Sequence, residues 1–228
     1  MDDVGAICIA NALADNGEAE LLAVVQNTQP PQCAGTISVL NHYYGRDAVP
    51  IGAYQAGPDG KPPGAAGDNP ALQPCQPLPY VPELVGKWPS PIKNTSQVPS
   101  SVEVYRRVLA AQPDHSVAIS SIGLSTNLAA LLRSGPDEHS PLSGKRLMAQ
   151  KVKLLAVMGG KYPTSCPDGK CGCECNFCAK YNNGGMDHVT ASAAAAFVFG
   201  NMPPEVKILF SGFVRSRTLF PFPICLTV

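Results

Sequence analysis

Short apolar runs of strand length, each broken off by a polar or glycine-rich turn, constrain this chain more than any other feature. Leu21-Leu22-Ala23-Val24-Val25 runs into Gln26-Asn27-Thr28, and Val117 to Ile122 ends at Gly123. Lys153 to Met158 ends at Gly159-Gly160, and Val206 to Phe210 ends at Ser211-Gly212. Runs buried on both faces are what a parallel sheet covered by helices requires. The segments between them carry helical spacing. Ile37, Leu40 and Tyr44 share a face, and Ser100-x-x-Glu103 reads as a capping box opening a helix through Val104, Val108 and Leu109, closed by Pro113. Asn127 to Leu132 and Ala191 to Phe199 supply further helical stretches. Strand and helix in alternation predict an α/β fold with an open, doubly wound, mostly parallel sheet. In such sheets ligands sit beyond the carboxyl ends of the strands, where these turns fall.

A length of 228 residues suits one such domain over 1–228 better than two. Residues 55–99 interrupt the alternation: they are rich in Pro and Gly, show no sustained period, and read as a long insertion, either a binding loop or a solvated excursion. No internal repeat is visible.

Bulk properties exclude some partners. Net charge is zero and charged residues make up 15%, so nothing points to nucleic acid or an anionic membrane. No apolar run approaches the roughly 20 residues that cross a bilayer. The first residues hold Asp2 and Asp3 and no basic cluster, unlike a signal peptide, and the compartment, cytoplasmic or secreted, stays open. Of nine cysteines, Cys166, Cys171, Cys173, Cys175 and Cys178 crowd into one stretch. That stretch admits a tetrahedral zinc site, disulfides that staple a loop, or free thiols.

Asp2-Asp3 stands directly before the helical pattern VGAICIANAL. Two carboxylates at a helix start are favoured by the dipole and serve as an ordinary cap. Asn27 ends the first run and suits a turn; Ser125, Thr126 and Asn127 suit a helix start. Further on come VMGGKYP, then CECNF with Glu174 and Asn176, then Asp187-His188 before an alanine-rich helix.

Taken in order, from MDDVGA through IGLSTN to ECNF, these segments resemble inosine–uridine-type nucleoside hydrolases over roughly residues 1–213. That family opens with a strand and an Asp-x-Asp-x-x-x-Asp-Asp motif, whose last two aspartates match Asp2-Asp3. The resemblance implies Asp3 as a ligand of a catalytic Ca²⁺ and Asp2 as a ribose ligand. It gives Thr126 a main-chain calcium contact, although Leu124-Ser125 stands where the family has a proline. It places Asn27, Glu174 and Asn176 on the sugar-binding wall, and hard oxygen donors of this kind suit calcium. A sugar is held by convergent acceptors and amides, and an analogue lacking its hydroxyls leaves them unpaired.

What the resemblance implies for activity is hydrolysis of the N-glycosidic bond of purine or pyrimidine ribonucleosides to ribose and free base. The family's base aspartate lies upstream of Met1 in the pattern. Its proton-donating histidine belongs to a last segment that RSRTLFPFPICLTV does not match, and Val214 stands where the family has a glutamate. On this basis no catalytic base or acid is assigned in the chain, which is expected to be truncated at both ends and inactive as it stands. The alternative is a non-catalytic nucleoside- or sugar-binding remnant of the same fold. Members of the family are often oligomeric, so a homo-oligomer is a further expectation; no interface signal appears in the sequence.

Overall fold

The computed structural model describes residues 2–27, 32–54, 80–160, 176–177 and 188–212. In chain order they form α1 (Asp2–Asp15), β1 (Val24–Gln26), α2 (Cys33–Tyr43), β2 (Ile51–Ala53), α3 (Tyr80–Lys87), α4 (Ser101–Ala110) and β3 (Val117–Ser121). There follow α5 (Thr126–Arg133), α6 (Gly144–Lys151), β4 (Val152–Met158), α7 (His188–Asn201) and β5 (Lys207–Ser211).

All described strand pairs are parallel, as the alternation of strand and helix predicts. They fall into two open sheets, β1-β2 and β3-β4-β5, rather than one continuous sheet. Val24 lies opposite Ile51 in the first. In the second, Ile119 lies opposite Leu155, which lies opposite Ile208. Parallel strands need crossovers, and helices supply them.

Two apolar clusters hold these layers. Around the smaller sheet, Ile7 and Ala10 of α1 pack with Val24, Ala34, Ile37, Ile51 and Ala53. Around the larger one, Leu128 and Leu131 of α5, Leu147 and Met148 of α6, and Leu155 and Val157 of β4 form the core, with Ala194 and Val198 from α7. Leu155 is fully buried, and truncating such a leucine to alanine costs about 2–5 kcal/mol.

The structure departs from the sequence reading in several places. Within the 55–99 insertion, residues 80–87 are helical and Thr95–Gln97 form a 3₁₀ turn; residues 55–79 lie outside the described ones. Pro82 falls in the first turn of α3, where a missing N–H does no harm, and Val81 and Val85 are buried. β2 is too short for a periodic signal. The charged segment of α6 carries too weak an apolar pattern to read as a helix from sequence, although Ser143 caps it by accepting from the Arg146 N–H. One half of the capping box read at Ser100 is present: its hydroxyl accepts from the Glu103 N–H at 3.2 Å. β5 is not buried on both faces, since Lys207, Leu209 and Ser211 are exposed, as befits the edge strand of the described sheet.

One polar clamp fixes the loop between α5 and α6. Arg106 on α4 is 1% exposed. Its guanidinium meets both carboxylate oxygens of Asp137 at 2.6 and 2.8 Å. It also donates to the hydroxyl of Ser134 and the main-chain oxygens of Ser140 and Leu142. Five donors in a rigid fork suit such a role. The Arg106 guanidinium, helped by the Ser140 and His139 N–H groups, holds the Asp137 carboxyl below its ordinary range.

Candidate functional site beyond the strand ends

The turns that follow β1, β3 and β4 are stitched together by asparagine amides. Asn27, the residue after β1, donates its Nδ2 to the main-chain oxygen of Leu124 beyond β3. Asn127, in the first turn of α5, donates to the main-chain oxygen of Gln26 at 3.1 Å. Asn176 donates to the main-chain oxygens of Ile122 at 3.2 Å and Met158 at 3.0 Å, joining the ends of β3 and β4. Each bond ties a side-chain amide to a main-chain carbonyl at or just beyond a strand end, where the regular ladder gives out.

Local sequence sets up this geometry. Gly123 makes room for the Asn27 side chain, because a Cβ there would sit 2.9 Å from Asn27 Oδ1. Gly160 has φ of 97°, a left-handed conformation that glycine adopts without strain and that turns the chain out of β4. Gly159 lies under the Phe177 ring, where an added Cβ would come within 2.3 Å of Cζ. Phe177 in turn meets Phe199 of α7 and Phe210 of β5 edge-on, with centroids 5.2 and 6.2 Å away. This aromatic group anchors the residue next to Asn176.

Some polar atoms at the same place remain without partners. Gln26 Oε1, Thr126 Oγ1 and Asn127 Oδ1 are buried and accept or donate no hydrogen bond among the described residues. Ser125 takes the N-cap position of α5, as its reading as a helix start expects, although its hydroxyl makes no capping bond there. A buried polar atom left unsatisfied costs about 1–3 kcal/mol, so such atoms mark where water or a ligand group belongs. Gln26 and Asn127 were not singled out from the sequence as site residues. Nothing in their spacing reveals a bond between positions so far apart in the chain.

Of the residues singled out, Asn27, Asn176 and Thr126 come together at the ends of β1, β3 and β4. Asp3 is exposed in the first turn of α1. Asp2 begins the same helix, with its side chain outside the description. Glu174 and the Cys166–Cys178 cluster lie outside the described residues. A calcium ion takes about six to eight oxygens. Asp3 and Thr126 alone fall short of that, and the described residues group no three His, Cys, Asp or Glu side chains fit for a metal. The donors described therefore do not make a calcium site by themselves.

No protein-family model matches the chain, and no curated protein matches it. Among solved structures, it is similar to the type III effector protein XopQ complexed with adenosine diphosphate ribose, with a TM-score of 0.55 and 19% identity. The match covers 92% of this chain and 52% of XopQ, so the chain spans about half the length of that structure. The likeness establishes the shared α/β fold with parallel strands in open sheets.

Proposed function

We propose that this chain binds a ribonucleoside by its ribose in the crevice beyond β1, β3 and β4, within a nucleoside hydrolase-like fold. The observation that carries this reading is the convergence of Asn27, Asn127 and Asn176 on one set of strand ends, beside buried acceptors that have no donor among the described residues. Ribose presents hydroxyl donors on one face, and a pocket built of fixed acceptors selects for them. The order of the turn motifs Asp2-Asp3, Asn27, Ser125-Thr126-Asn127 and Glu174-x-Asn176 supports the same ligand class. So does the ligand of XopQ, adenosine diphosphate ribose, which contains ribose.

Cleavage of the N-glycosidic bond is the finer part of the proposal. Water would add at C1′, the bond to the base would break, and the departing base would keep the electron pair and take up a proton. The developing positive charge on the ribose is stabilised by oxygens fixed around it, which need no reorganisation as the charge appears. Asn27 and Asn176 spend their amide hydrogens on main-chain oxygens, so their orientation is set before a ligand arrives.

Calorimetric titration with inosine and with uridine, followed by an assay for released ribose, tests both parts. Saturable binding with ribose release supports the whole proposal. Binding without release reduces the chain to a nucleoside-binding form of the fold. Absence of binding to either nucleoside overturns the proposal.

A further inference from the structure

Between α3 and α4 the chain makes a tight polar turn at the surface. Asn94 has extended backbone, with φ of −153° and ψ of 170°, and caps the 3₁₀ turn Thr95–Gln97, a position that asparagine favours. Its Oδ1 accepts from the Ser96 N–H at 2.9 Å and from the Ser96 hydroxyl. The Gln97 side chain closes the turn from the other end. Its Oε1 accepts from the main-chain N–H groups of Asn94 and Lys93, at 3.1 and 2.7 Å. Behind the turn stands α2, where the Ser38 hydroxyl accepts from the Ile92 N–H and Gly35 leaves room for the Lys93 oxygen.

Asn94-Thr95-Ser96 is also the one place in the sequence that reads Asn-x-Ser or Asn-x-Thr with x other than proline. That spacing marks asparagines that take an N-linked glycan on a surface loop. The fold presents the motif accordingly, with Lys93, Ser96 and Gln97 exposed around a half-buried Asn94. The bonds of the Asn94 side chain run through Oδ1, and among the described residues Nδ2 makes no hydrogen bond. A sugar on Nδ2 therefore displaces no contact that shapes the turn. Asn176 is the opposite case. It is buried, and its amide is spent on the main-chain oxygens of Ile122 and Met158.

We propose that Asn94 is the acceptor for one N-linked glycan. In a transferase-catalysed step, Nδ2 bonds to the anomeric carbon of a lipid-linked oligosaccharyl diphosphate. The bond from that carbon to the diphosphate oxygen breaks, the lipid diphosphate leaves with the electron pair, and Nδ2 gives up one proton. The substituted amide keeps Oδ1 and both of its bonds from Ser96. Such a transfer acts on chains entering an oxidising secretory compartment, the same setting in which disulfides within residues 166–178 would persist. The inference stands on the turn and does not require that the crevice bind a nucleoside.

The test is to express the full chain behind a cleavable secretory leader in a eukaryotic host, beside a Glu18→Ser variant. That change puts a serine two residues after exposed Asn16, so a glycan there reports that the chain meets the transferase. Gel mobility and peptide mass are read before and after enzymatic removal of N-glycans. The proposal predicts one glycan on the unsubstituted chain, located at Asn94, and a second on Glu18→Ser. Asn94→Gln and Ser96→Ala each abolish the glycan at Asn94, and Ser96→Thr keeps it. A glycan at Asn16 with Asn94 bare overturns the proposal. So does a glycan on the otherwise unsubstituted chain that survives Asn94→Gln.

Discussion

Asn127 on α5 donates its amide to the main-chain oxygen of Gln26 at the end of β1, 3.1 Å away, across the break between the two sheets. That oxygen also accepts from the Tyr54 N–H. One carbonyl thus ties β1 to the segment that follows β2 and to the helix that follows β3. The contact lies where an open parallel sheet places its ligand crevice. Asn127→Ala removes the donor and should lower unfolding stability by about 1–3 kcal/mol. Urea denaturation followed by circular dichroism measures it. The same variant should weaken nucleoside binding, because Asn127 Oδ1 is one of the unpartnered acceptors.

Gly159 and Phe177 make a paired prediction. Gly159→Ala forces a Cβ to within 2.3 Å of the Phe177 ring, and overpacking of this kind costs about 1–3 kcal/mol. Phe177→Leu on top of Gly159→Ala should recover part of the loss, because the smaller side chain vacates the space. Melting temperatures of the two single variants and the double variant check this. Additive losses would mean that the ring and the glycine do not share that space.

Arg106 and Asp137 should act as a unit. Arg106 is buried while Asp137 is exposed. Asp137→Asn therefore weakens a solvent-screened pair but leaves the buried guanidinium short of a charged acceptor, and should cost about 1–3 kcal/mol at neutral pH. The folded Asp137 carboxyl lies below its ordinary range. Its contribution is therefore fully present above the unfolded value, about 3.9, and is lost as pH falls through the lower, folded value. Chemical denaturation from pH 7 down to pH 2.5 should show that loss in the unsubstituted chain and a shallower one in Asp137→Asn.

Much of the fold was legible in the sequence because parallel strands buried on both faces leave continuous apolar runs. The runs at β1, β3 and β4 read this way, as do the helix starts at Ser100 and Thr126, and β5 also shows as an apolar run although Lys207, Leu209 and Ser211 are exposed. β2 was not legible, since Ile51–Ala53 is too short for any period to register. α3 was hidden by Pro82 and the proline-rich sequence around it, where composition argued for a loop and burial of Val81 and Val85 decided for a helix. At the site, Asn27 was legible as a turn asparagine, and Asn176 through the Glu174-x-Asn176 segment of the family resemblance. Gln26 and Asn127 were not, because their bond links residues that only the fold brings together.

Asn176→Ala should separate structure from binding. Losing two main-chain contacts, to Ile122 and Met158, it should cost about 1–3 kcal/mol of stability. Asn176→Asp keeps the shape but replaces the donating amide with an acceptor facing two carbonyls, and should be at least as damaging. Thermal unfolding with and without added inosine measures both effects, and the stabilisation by ligand should shrink in each variant.

The central claim is that the strand ends joined by Asn27, Asn127 and Asn176 hold a ribose. The most direct measurement is a nuclear magnetic resonance titration with inosine, following the side-chain amide signals of these asparagines, with buried Asn11 of α1 and Asn41 of α2 as internal references. The account predicts saturable shifts at Asn27, Asn127 and Asn176, reproduced by ribose alone at higher concentration, and still signals at Asn11 and Asn41. Unmoved signals at the strand ends under saturating inosine, or equal movement at all five residues, would contradict it.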